Sequence, residues 1–404
     1  MANTLLTIDM ITRSALSLWQ NTNSFIRHLD TQYDDSFGQS GAKIGASLRI
    51  RLPNDYVVRT GAAASVQDTA ESSVSMTIAT QKGVDLSFSS AERALKLDDY
   101  EKRVLAPAVN NLVGSIGADV MTGVESGCAS IVAERDGTGA VTTPNSGTIL
   151  SAGAVLDTYS APSMGRIAIA DQWSMSRLVQ SMQGLFNPSA KISEQFENAM
   201  MYDNVLGFDW DKDQTIVKHT AGTFTAGTVN GAGQSGLTLV TNAITGTLAV
   251  GDIIILAGVN SVNRITKQDS GQLAQFVVTA AAANGATSLS IYPAIVPSNA
   301  GSPVQYQTVV SAPANSAAIS LLTNASQVYR KNVCFVPEAI ALVTADLELP
   351  KGVHEAHREQ YEGVSMRMVT AYDVRSDQFI TRMDVLYGYL WIRPEWVVTI
   401  ADAI

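Results

Sequence analysis

Three glycines in the middle of the chain have the spacing of a nucleotide-binding loop. Gly231, Gly233 and Gly236 match the pattern G-x-G-x-x-G, in which backbone amides at the start of a helix hold a pyrophosphate group. That chemistry requires a helix directly after the glycines and an acidic residue about twenty positions further on. Here residues 237–240 are strand-like, and the nearest acidic residue, Asp252, begins a predicted strand. We therefore expect no cofactor-binding site at these glycines.

Three aspartates follow the spacing of the first calcium ligands of an EF-hand loop. They are Asp209, Asp211 and Asp213, and the sixth and twelfth positions of such a loop are Gln214 and Thr220. An EF-hand needs a glycine at the sixth position for its sharp turn and a bidentate glutamate at the twelfth. The pattern therefore predicts a solvated acidic turn and no metal site.

A short histidine-containing stretch resembles the zinc-binding helix of metalloproteases. Two histidines on one helix face must be four positions apart to share a zinc ion. His354 and His357 are three apart, and Arg358 occupies the position of the second ligand. Glu359 would at most complete a weak surface site. We expect a solvated polar segment here.

The two cysteines, Cys128 and Cys334, lie far apart in the sequence and have no histidine near them. Two thiols make neither a disulfide scaffold nor a tetrahedral metal site, and burial is the usual state of an isolated cysteine. The G-x-S-x-G turn of serine hydrolases is also absent from the sequence. We therefore expect no catalytic residue, no cofactor, no metal and no enzymatic activity.

The composition favours a large folded protein whose surface is covered by copies of itself. The 404 residues are too many for one ordinary core, so two or three domains are expected. Apolar residues make up 46% of the chain and charged residues only 16%, against about 25% in typical proteins. A low charge content with many small residues is typical of subunits that bury surface against identical subunits.

Charge and hydropathy argue against two classes of partner. A formal net charge of −10 disfavours a nucleic-acid-binding domain, which carries a basic excess, so any contact with nucleic acid is expected to be local and weak. The amino terminus lacks the basic start and the apolar core of a signal peptide. The most apolar run, 253–257, is too short to span a bilayer. We expect a cytoplasmic protein that contacts no membrane.

The stretch 97–127 predicts the longest helix, around which the rest of the chain is expected to pack. Pro107 should begin its regular part, after a kink or a short first helix that starts with the acidic residues 98–101. Gly114 and Gly117 lower the stability of the helix. Either another backbone passes close to the helix at these glycines, or this is an ordinary core helix that contains two residues of low helix propensity. The apolar residues recur at gaps of three and four on one face; they are Leu105, Val109, Leu112, Val113, Ile116, Val120 and Met121.

Two elements are expected before this helix. Residues 4–20 predict an amphipathic helix with Trp19 on its apolar side, which either packs locally or lies as an arm on a neighbouring subunit. Alternation of apolar and polar residues from Lys43 to Leu52, and again from Val74 to Phe88, predicts a long two-stranded hairpin. Because isolated hairpins are marginal in water, something outside this segment is expected to hold it.

After the long helix, a mixed pattern of helices and strands is interrupted by a strand-rich insertion. Between residues 221 and 316 the only charged residues are Asp252, Arg264, Lys267 and Asp269, and short strand-like runs recur. This pattern predicts a small all-β barrel or sandwich. Around it we expect a loop at 137–165, strands at 167–170, 215–219 and 332–337, helices at 175–186, 192–201 and 317–328, and a short helix or strand at 338–344.

The carboxy-terminal part predicts further strands. They are expected at 363–370, at 379–390 with an interruption at Gly388, and at 396–400. We expect these strands to pair as an antiparallel sheet beneath the long helix.

The stretches Gly251–Val259, Asn332–Phe335 and Tyr387–Glu395, together with this order of parts, resemble the major capsid proteins of tailed bacteriophages, which have the HK-97-type fold. Within that group the chain is similar to the P-22-type coat proteins, which carry an inserted β barrel. The resemblance implies an α+β fold with these parts: an amino-terminal arm at 1–42, an extended β-hairpin loop at 43–89, a spine helix of the peripheral domain at 90–128, an axial α/β domain at 129–220 and 317–345, the inserted all-β domain at 221–316, and closing peripheral strands at 346–404.

The resemblance also implies a function and a set of partners. The protein would self-assemble, as pentamers and hexamers, into the icosahedral shell around the genome of a tailed double-stranded DNA bacteriophage. Assembly would take place in the host bacterial cytoplasm with scaffolding and portal proteins, and packaged DNA would be contacted non-specifically. Candidate subunit-interface residues are Arg49, Arg51 and Lys82 on the hairpin and Trp19 on the arm. Single exposed ion pairs contribute only ~0–1 kcal/mol, but they repeat throughout a shell.

Three alternatives compete with this interpretation. An encapsulin-like nanocompartment shell of the same fold is disfavoured by the all-β insertion. A β-rich surface adhesin is disfavoured by the missing signal peptide and the long central helix. An enzyme would need a cluster of titratable residues, which the sequence does not show.

Overall fold

The computed structural model describes residues 8–22, 24–31, 47–59, 61–62, 64, 66–67, 73–89, 104–182, 200–201, 204–299, 301, 303–361, 363–375 and 378–404. The predicted helix 192–201, apart from its last two residues, and the acidic residues 98–101 lie outside these ranges. No helix in the described part of the chain is long and apolar enough to cross a membrane. The α-helices there are, in chain order, α1 (Ile8–Thr22), α2 (Ser24–Arg27), α3 (Ala106–Gly127), α4 (Ser146–Thr158) and α5 (Gln172–Ser181), and 3-10 helices lie at Pro337–Ala339 and Pro394–Trp396.

Strands make up most of the remaining regular structure. In chain order they are β1 (Ser47–Arg51), β2 (Ser73–Thr77), β3 (Thr80–Ser89), β4 (Ser130–Val132), β5 (Ile167–Ala170), β6 (Asp209–Lys212), β7 (Lys218–Thr220), β8 (Gly227–Thr228), β9 (Gly236–Val240), β10 (Ile253–Val262), β11 (Asp269–Val278), β12 (Ser288–Ile295), β13 (Ala318–Leu321), β14 (Val328–Phe335), β15 (Ile340–Ala345), β16 (Glu355–Tyr361), β17 (Val364–Asp373), β18 (Gln378–Trp391) and β19 (Val397–Ala403).

The chain divides into two compact units, each assembled from three separated segments. Because the segments are far apart in sequence, local patterns do not reveal the limits of either unit. The first unit comprises Met1–Arg51, Ser73–Val120 and Ile340–Ile392, and the second comprises Leu52–Ser72, Met121–Ala339 and Arg393–Ile404.

The first unit is built on an antiparallel sheet with the strand order β15-β18-β17-β16, to which β3 adds on the other side of β18. The prediction that residues 84–88 continue the hairpin is wrong. β1 pairs with β2 over five residues, whereas β3 pairs with β18 over ten. Alternation with period two identifies a strand and its buried face, but it does not identify the partner strand.

Two glycines permit the close approach of the neighbours of β18. A side-chain carbon added at Gly83 would lie 2.5 Å from the carbonyl oxygen of Met383, and one added at Gly388 would lie 2.5 Å from that of Thr77. Both distances are shorter than any ordinary contact. The prediction that Gly388 interrupts the strand is wrong, because β18 runs unbroken through it.

Helix α3 buries one apolar face, as its periodicity predicts. All seven apolar residues named from the sequence are buried, and Pro107 is the second residue of the helix. The indole nitrogen of Trp391 donates a hydrogen bond of 3.3 Å to the carbonyl oxygen of Val120, which joins β18 to the helix. At Gly114 an added side-chain carbon would meet nothing within 4 Å. Among the described residues, the explanation that another backbone passes close to the helix is therefore wrong for Gly114.

The second unit contains a mixed sheet with the order β4-β19-β14-β5-β6, and β7 also pairs with β14. The central strand β14 is antiparallel to β19 and β5, whereas β4 and β6 are parallel to their neighbours. The last strand, β19, therefore belongs here and not in the carboxy-terminal sheet predicted beneath the long helix. Residues of α4, α5 and these strands form one apolar core.

Helix α4 lies in the stretch 137–165, which we predicted as a loop. The side chain of Asn145 accepts a hydrogen bond of 3.0 Å from the Thr148 amide, and the Thr148 hydroxyl accepts one of 3.2 Å from the Asn145 amide. This reciprocal cap has threonine where glutamate or glutamine is usual. The helix was missed because its start lacks the usual sequence signal.

The insertion forms a closed β barrel with the strand order β8-β13-β10-β11-β12-β9. The bridges Val229–Thr241 and Ala226–Thr245 join its two edges, and its interior is apolar. β13 extends the barrel to Leu321, so the helix predicted at 317–328 is wrong. Ile319 is buried between two exposed neighbours, which is the alternation of a strand.

Candidate assembly surface

The segment 52–72 between β1 and β2, called the excursion below, exposes apolar side chains. Val58 is 90% exposed and Val66 is 96% exposed, and Tyr56 is more than half exposed. Single exposed apolar residues are common. Two almost fully exposed valines on one short segment, with a tyrosine beside them, provide apolar surface that a partner molecule can cover.

Two exposed arginines lie on the strand that leads into the excursion. Arg49 and Arg51 flank Ile50, which is only 2% exposed. Because successive strand residues point to opposite faces, both arginines lie on the face of β1 that is away from Ile50. Arg49 donates from Nε to the hydroxyl of Ser73 at 2.7 Å. The face is positively charged and accessible.

A side-chain amide braces the excursion internally. Gln67 accepts a hydrogen bond of 2.7 Å from the Val57 amide and donates one of 2.5 Å to the Val57 carbonyl oxygen. The Gln67 side chain thus pairs both backbone groups of Val57, as a ladder partner would. Val58 and Val66 are each adjacent in sequence to one of the braced residues, so the brace restricts both exposed valines.

The base of the excursion is held by charged groups. Both carboxylate oxygens of Asp55 lie 3.2 Å from Nε of Arg264, and Lys267 Nζ lies 3.4 Å from one of them. Arg264 also donates to Glu395 at 2.5 Å. Burial lowers the pKa of Arg264, but the charges and hydrogen bonds of Glu395 and Asp55 raise it overall. The guanidinium is therefore held in its charged form.

Lys82, predicted on the hairpin, lies on β3 and has partners on α3. Its ammonium group is 2.7 Å from the Asp119 carboxylate and donates to the Ser115 hydroxyl at 2.8 Å. The Tyr387 hydroxyl donates to the same carboxylate. Burial raises the pKa of Asp119, but the hydrogen bonds from Lys82 and Tyr387 lower it overall. Lys82 thus links the sheet to the helix within one chain.

Trp19 is a core residue in this structure. It is only 3% exposed, and the amphipathic helix α1 that carries it packs against β16 and β17. Arg13 of the same helix is 3.1 Å from the Glu359 carboxylate. Of the two alternatives for the amino-terminal helix, the structure has the local one.

The glycines at 231, 233 and 236 form turns that precede a strand. All three have positive φ angles, a conformation that glycine adopts without strain. The Gln234 side chain accepts a hydrogen bond of 2.7 Å from the Val240 amide, which fixes the turn to β9. The expectation that a strand and not a helix follows these glycines is confirmed.

The two predicted solvated stretches are strands. Asp209 and Asp211 lie on β6, and the buried Asp213 accepts hydrogen bonds from the amide and the hydroxyl of Thr215. The histidine-containing stretch forms β16, where His357 Nε2 is 2.9 Å from the Glu359 carboxylate. Across the described ranges, no three histidine, cysteine or acidic side chains are placed to hold a metal ion.

Both cysteines are buried, as expected. Burial raises the pKa of Cys128 to about 11, and it raises the pKa of Cys334 as well. Since the thiolate is the reactive form, both side chains act as small apolar groups at neutral pH.

A group of titratable residues, of which His219, Asp252 and Lys331 are buried, was not found from the sequence because its members are far apart in sequence. His219 lies between two carboxylates, 3.0 Å from Glu125 and 2.9 Å from Asp252. Lys331 donates a hydrogen bond of 2.7 Å to the carbonyl oxygen of Gly251. Burial lowers the pKa of Lys331 to about 8, although Glu125, Cys128 and Asp252 act to raise it. These contacts join the end of α3, the mixed sheet and the barrel.

Comparison with protein families gives one match that spans both compact units. The model of the P22 coat protein, gene protein 5, matches residues 38–400, which is most of the chain. No curated protein matches the chain.

Solved structures include several to which the chain is similar. For "Mycobacterium phage Che8" the identity is 11% and the TM-score 0.47, with 94% of this chain and 90% of that chain covered. For a virus-like particle from Pyrococcus furiosus the identity is 9% and the TM-score 0.38, with 97% of this chain and 98% of that chain covered. For the CUS-3 coat protein I-domain the identity is 32% and the TM-score 0.19, with 24% of this chain and 94% of that chain covered.

Proposed function

The chain belongs to the P22 coat protein family, and we propose that its copies form the pentamers and hexamers of a shell by laying the excursion on a neighbouring copy. The protein is a major capsid protein of a tailed bacteriophage and a component of the virion. Membership of the family also confirms the predicted α+β fold of the HK-97 type. It is a structural protein, and its copies assemble into a multimeric shell.

The observation that supports this use of the excursion is its exposed apolar surface. Val58 and Val66 are almost fully exposed in the single chain, and the brace between Gln67 and Val57 restricts the backbone beside both. Burying a valine side chain that was exposed contributes about 1.5–3 kcal/mol. A restricted apolar segment loses little conformational entropy when a partner covers it.

The charged part of the proposed interface consists of Arg49 and Arg51. The chain has a formal net charge of −10, so a neighbouring copy offers acidic groups for these arginines to approach. Of the other two candidates, Lys82 forms an ion pair with Asp119 of the helix, and Trp19 is buried in the core of the subunit. We therefore assign those two residues to the stability of the subunit and leave them out of the interface.

The remaining parts of the assembly are also proposals. The net negative charge supports a shell that contacts packaged DNA non-specifically. Assembly in the host cytoplasm, together with a scaffolding protein and a portal protein, agrees with the family. The predicted domains stay proposals, and four strands change place: β3 and β15 join the peripheral strands, β13 joins the barrel, and β19 joins the mixed sheet of the second unit.

A matched pair of valine substitutions tests the proposed role of the excursion. Val58→Asp places a charge on the excursion, and Val374→Asp places the same charge at a valine that is 80% exposed elsewhere. Both variants should fold, but only Val58→Asp should lose shell assembly by electron microscopy and light scattering. Shells formed equally by both variants would contradict the proposal.

A further inference from the structure

The loop between the first two long strands of the barrel, residues 263–268, has a tightly defined shape. The side chain of Asn263 accepts hydrogen bonds from the amides of Ile265 and Thr266, at 3.0 and 3.1 Å. Lys267 adopts a positive φ of 56° and donates from its amide to the Asn263 carbonyl oxygen at 2.8 Å. A side chain carried by this loop therefore starts from a fixed backbone.

The loop directs its two basic side chains to one acidic residue at the base of the excursion. Arg264 and Lys267 are the only basic residues between 221 and 316, and both are within 3.4 Å of the Asp55 carboxylate. Lys267 is buried. The placement of both cations at a single carboxylate, in a domain with so few charges, indicates a specific contact.

Arg264 connects the excursion to two further elements. Its Nη1 donates to Glu395, which lies just before β19, and its backbone amide donates to the Thr158 carbonyl oxygen at the end of α4, at 3.4 Å. The side chains of Arg264 and Asp55 are 28% and 20% exposed. At this burial, ion pairs are screened less by solvent and salt than fully exposed pairs.

A second contact supports the same attachment. The Tyr306 hydroxyl, also from the insertion, donates to the side chain of Asn54 at 3.1 Å. Asn54 and Asp55 are adjacent, so the insertion holds two consecutive residues at the base of the excursion. Beyond them, residues 56–59 belong to no strand.

We propose that the loop 263–268 is a clamp that fixes the base of the excursion, with Arg264 as its positioning residue. The inserted barrel thereby promotes assembly from within its own chain, because it orders the excursion before a neighbour binds. A segment that is already ordered loses less conformational entropy on binding. This inference rests on the proposed function of the excursion and adds the element that prepares it.

Hydrogen exchange of the unassembled protein tests the clamp directly. We compare Asp55→Asn, Arg264→Gln and the double variant with the wild type, and we use Lys218→Gln, an exposed lysine of the same unit, as the charge-matched control. Amides of residues 54–59 should exchange about tenfold faster in both single variants. Amides of β10 and β11 should not change, and the control should behave as the wild type.

The double variant and a conservative variant complete the test. If the two residues act as one contact, the double variant should exchange no faster than either single variant. Arg264→Lys keeps the charge but loses the planar fork, so its exchange and its yield of shells should lie between those of wild type and Arg264→Gln. A merely structural role of Arg264 would raise exchange in the barrel strands as well.

Two results would overturn the clamp: unchanged exchange at 54–59 in Arg264→Gln, or equal increases at 54–59 and in β10 and β11. Neither depends on shell formation. Failure of the wild-type protein to form shells would instead contradict the proposed function, while the exchange experiment would still decide whether the clamp exists.

Discussion

The imidazole Nε2 of His219 lies 2.9 Å from the carboxylate of Asp252, which has no exposed surface. His219 belongs to β7 of the mixed sheet, and Asp252 directly precedes the barrel strand β10. The amides of Gly222 and Ala249 donate to the same carboxylate at 3.1 and 2.7 Å. The barrel is therefore attached to the sheet through a buried carboxylate that contacts His219 and accepts hydrogen bonds from two amides, in addition to apolar contacts.

Replacing Asp252 by asparagine should destabilise the protein strongly. The substitution keeps the shape but removes the charge that His219 and two amides surround, and breaking such a buried pair costs about 3–5 kcal/mol. The matched control is Asp269→Asn, at an exposed position of the same barrel, which should change the free energy of unfolding by less than about 1 kcal/mol. Urea denaturation measures both, and equal effects would contradict the assignment.

Lys331 should make the stability of the protein depend on pH. Its pKa falls from 10.5 to about 8 on burial in the folded state, so between these values the unfolded chain binds more protons at this lysine than the folded chain does. Its contribution to stability therefore rises as the pH increases from about 8 to 10. A shift of this size corresponds to roughly 3 kcal/mol.

The variant Lys331→Met isolates that contribution. Burial of Cys128 raises its pKa from 9.0 to about 11, although Lys331 acts to lower it, so this thiol acts in the opposite direction above pH 9. The two proteins are therefore compared from pH 7.5 to 9, where the difference in unfolding free energy between Lys331→Met and wild type should shift in favour of the wild type. A difference that is constant with pH would show that Lys331 has an ordinary pKa.

Two glycine-to-alanine substitutions should change stability in opposite directions. At Gly83 the new methyl group would collide with the Met383 carbonyl of the paired strand, which should cost about 1–3 kcal/mol. At Gly114 it would meet nothing within 4 Å, and alanine favours a helix by about 1 kcal/mol. Thermal unfolding of the unassembled protein should show a lower midpoint for Gly83→Ala and a higher one for Gly114→Ala. The same sign for both would contradict the strand pairing or the environment of the helix.

Substitutions of Trp19 should distinguish a core residue from an interface residue. Trp19→Ala should lower the free energy of unfolding by about 3–5 kcal/mol, because it leaves a cavity under α1. The indole nitrogen has no hydrogen-bond partner among the described residues, so Trp19→Phe should cost much less. If Trp19→Ala left the unassembled subunit as stable as the wild type and abolished only assembly, the core assignment would be wrong.

The local part of the fold could be predicted from the sequence, and the long-range part could not. The apolar face of α3 and the barrel strands β9 to β12 follow from periodicities within single segments. The partner of β3, by contrast, lies almost 300 residues away in β18. Helix α4 was not predicted because its capping residues are unusual. Gly388 was predicted to interrupt the strand, whereas the close approach of the Thr77 backbone is what requires a glycine there.

Functional residues follow the same division. Arg49 and Arg51 were found because they alternate with apolar residues on one strand. Asp55 and Arg264 are separated by more than 200 residues, and each alone resembles an ordinary surface charge. Their relationship depends on the loop conformation set by Asn263, for which the sequence offered no recognisable pattern.

Charge reversal at Arg49 and Arg51 should weaken assembly without unfolding the subunit. In Arg49→Glu/Arg51→Glu the exposed basic face becomes acidic and repels an acidic neighbour, so the protein concentration needed for shells should rise by about tenfold or more. Lys218→Glu, at another exposed position, serves as the control. Light scattering measured over a series of protein concentrations gives the lowest concentration at which shells form. An unchanged threshold with an intact fold would remove these arginines from the interface.

The central claim is that copies of this chain build a closed shell, and the most direct test is electron microscopy of the purified wild-type protein together with light scattering after size exclusion. The protein should be prepared alone and with its co-expressed phage neighbours. The account predicts closed particles or rings of subunits tens of nanometres across, and averaged images should place the 52–72 segment of one copy on the next. A protein that stays monomeric under every condition would contradict it.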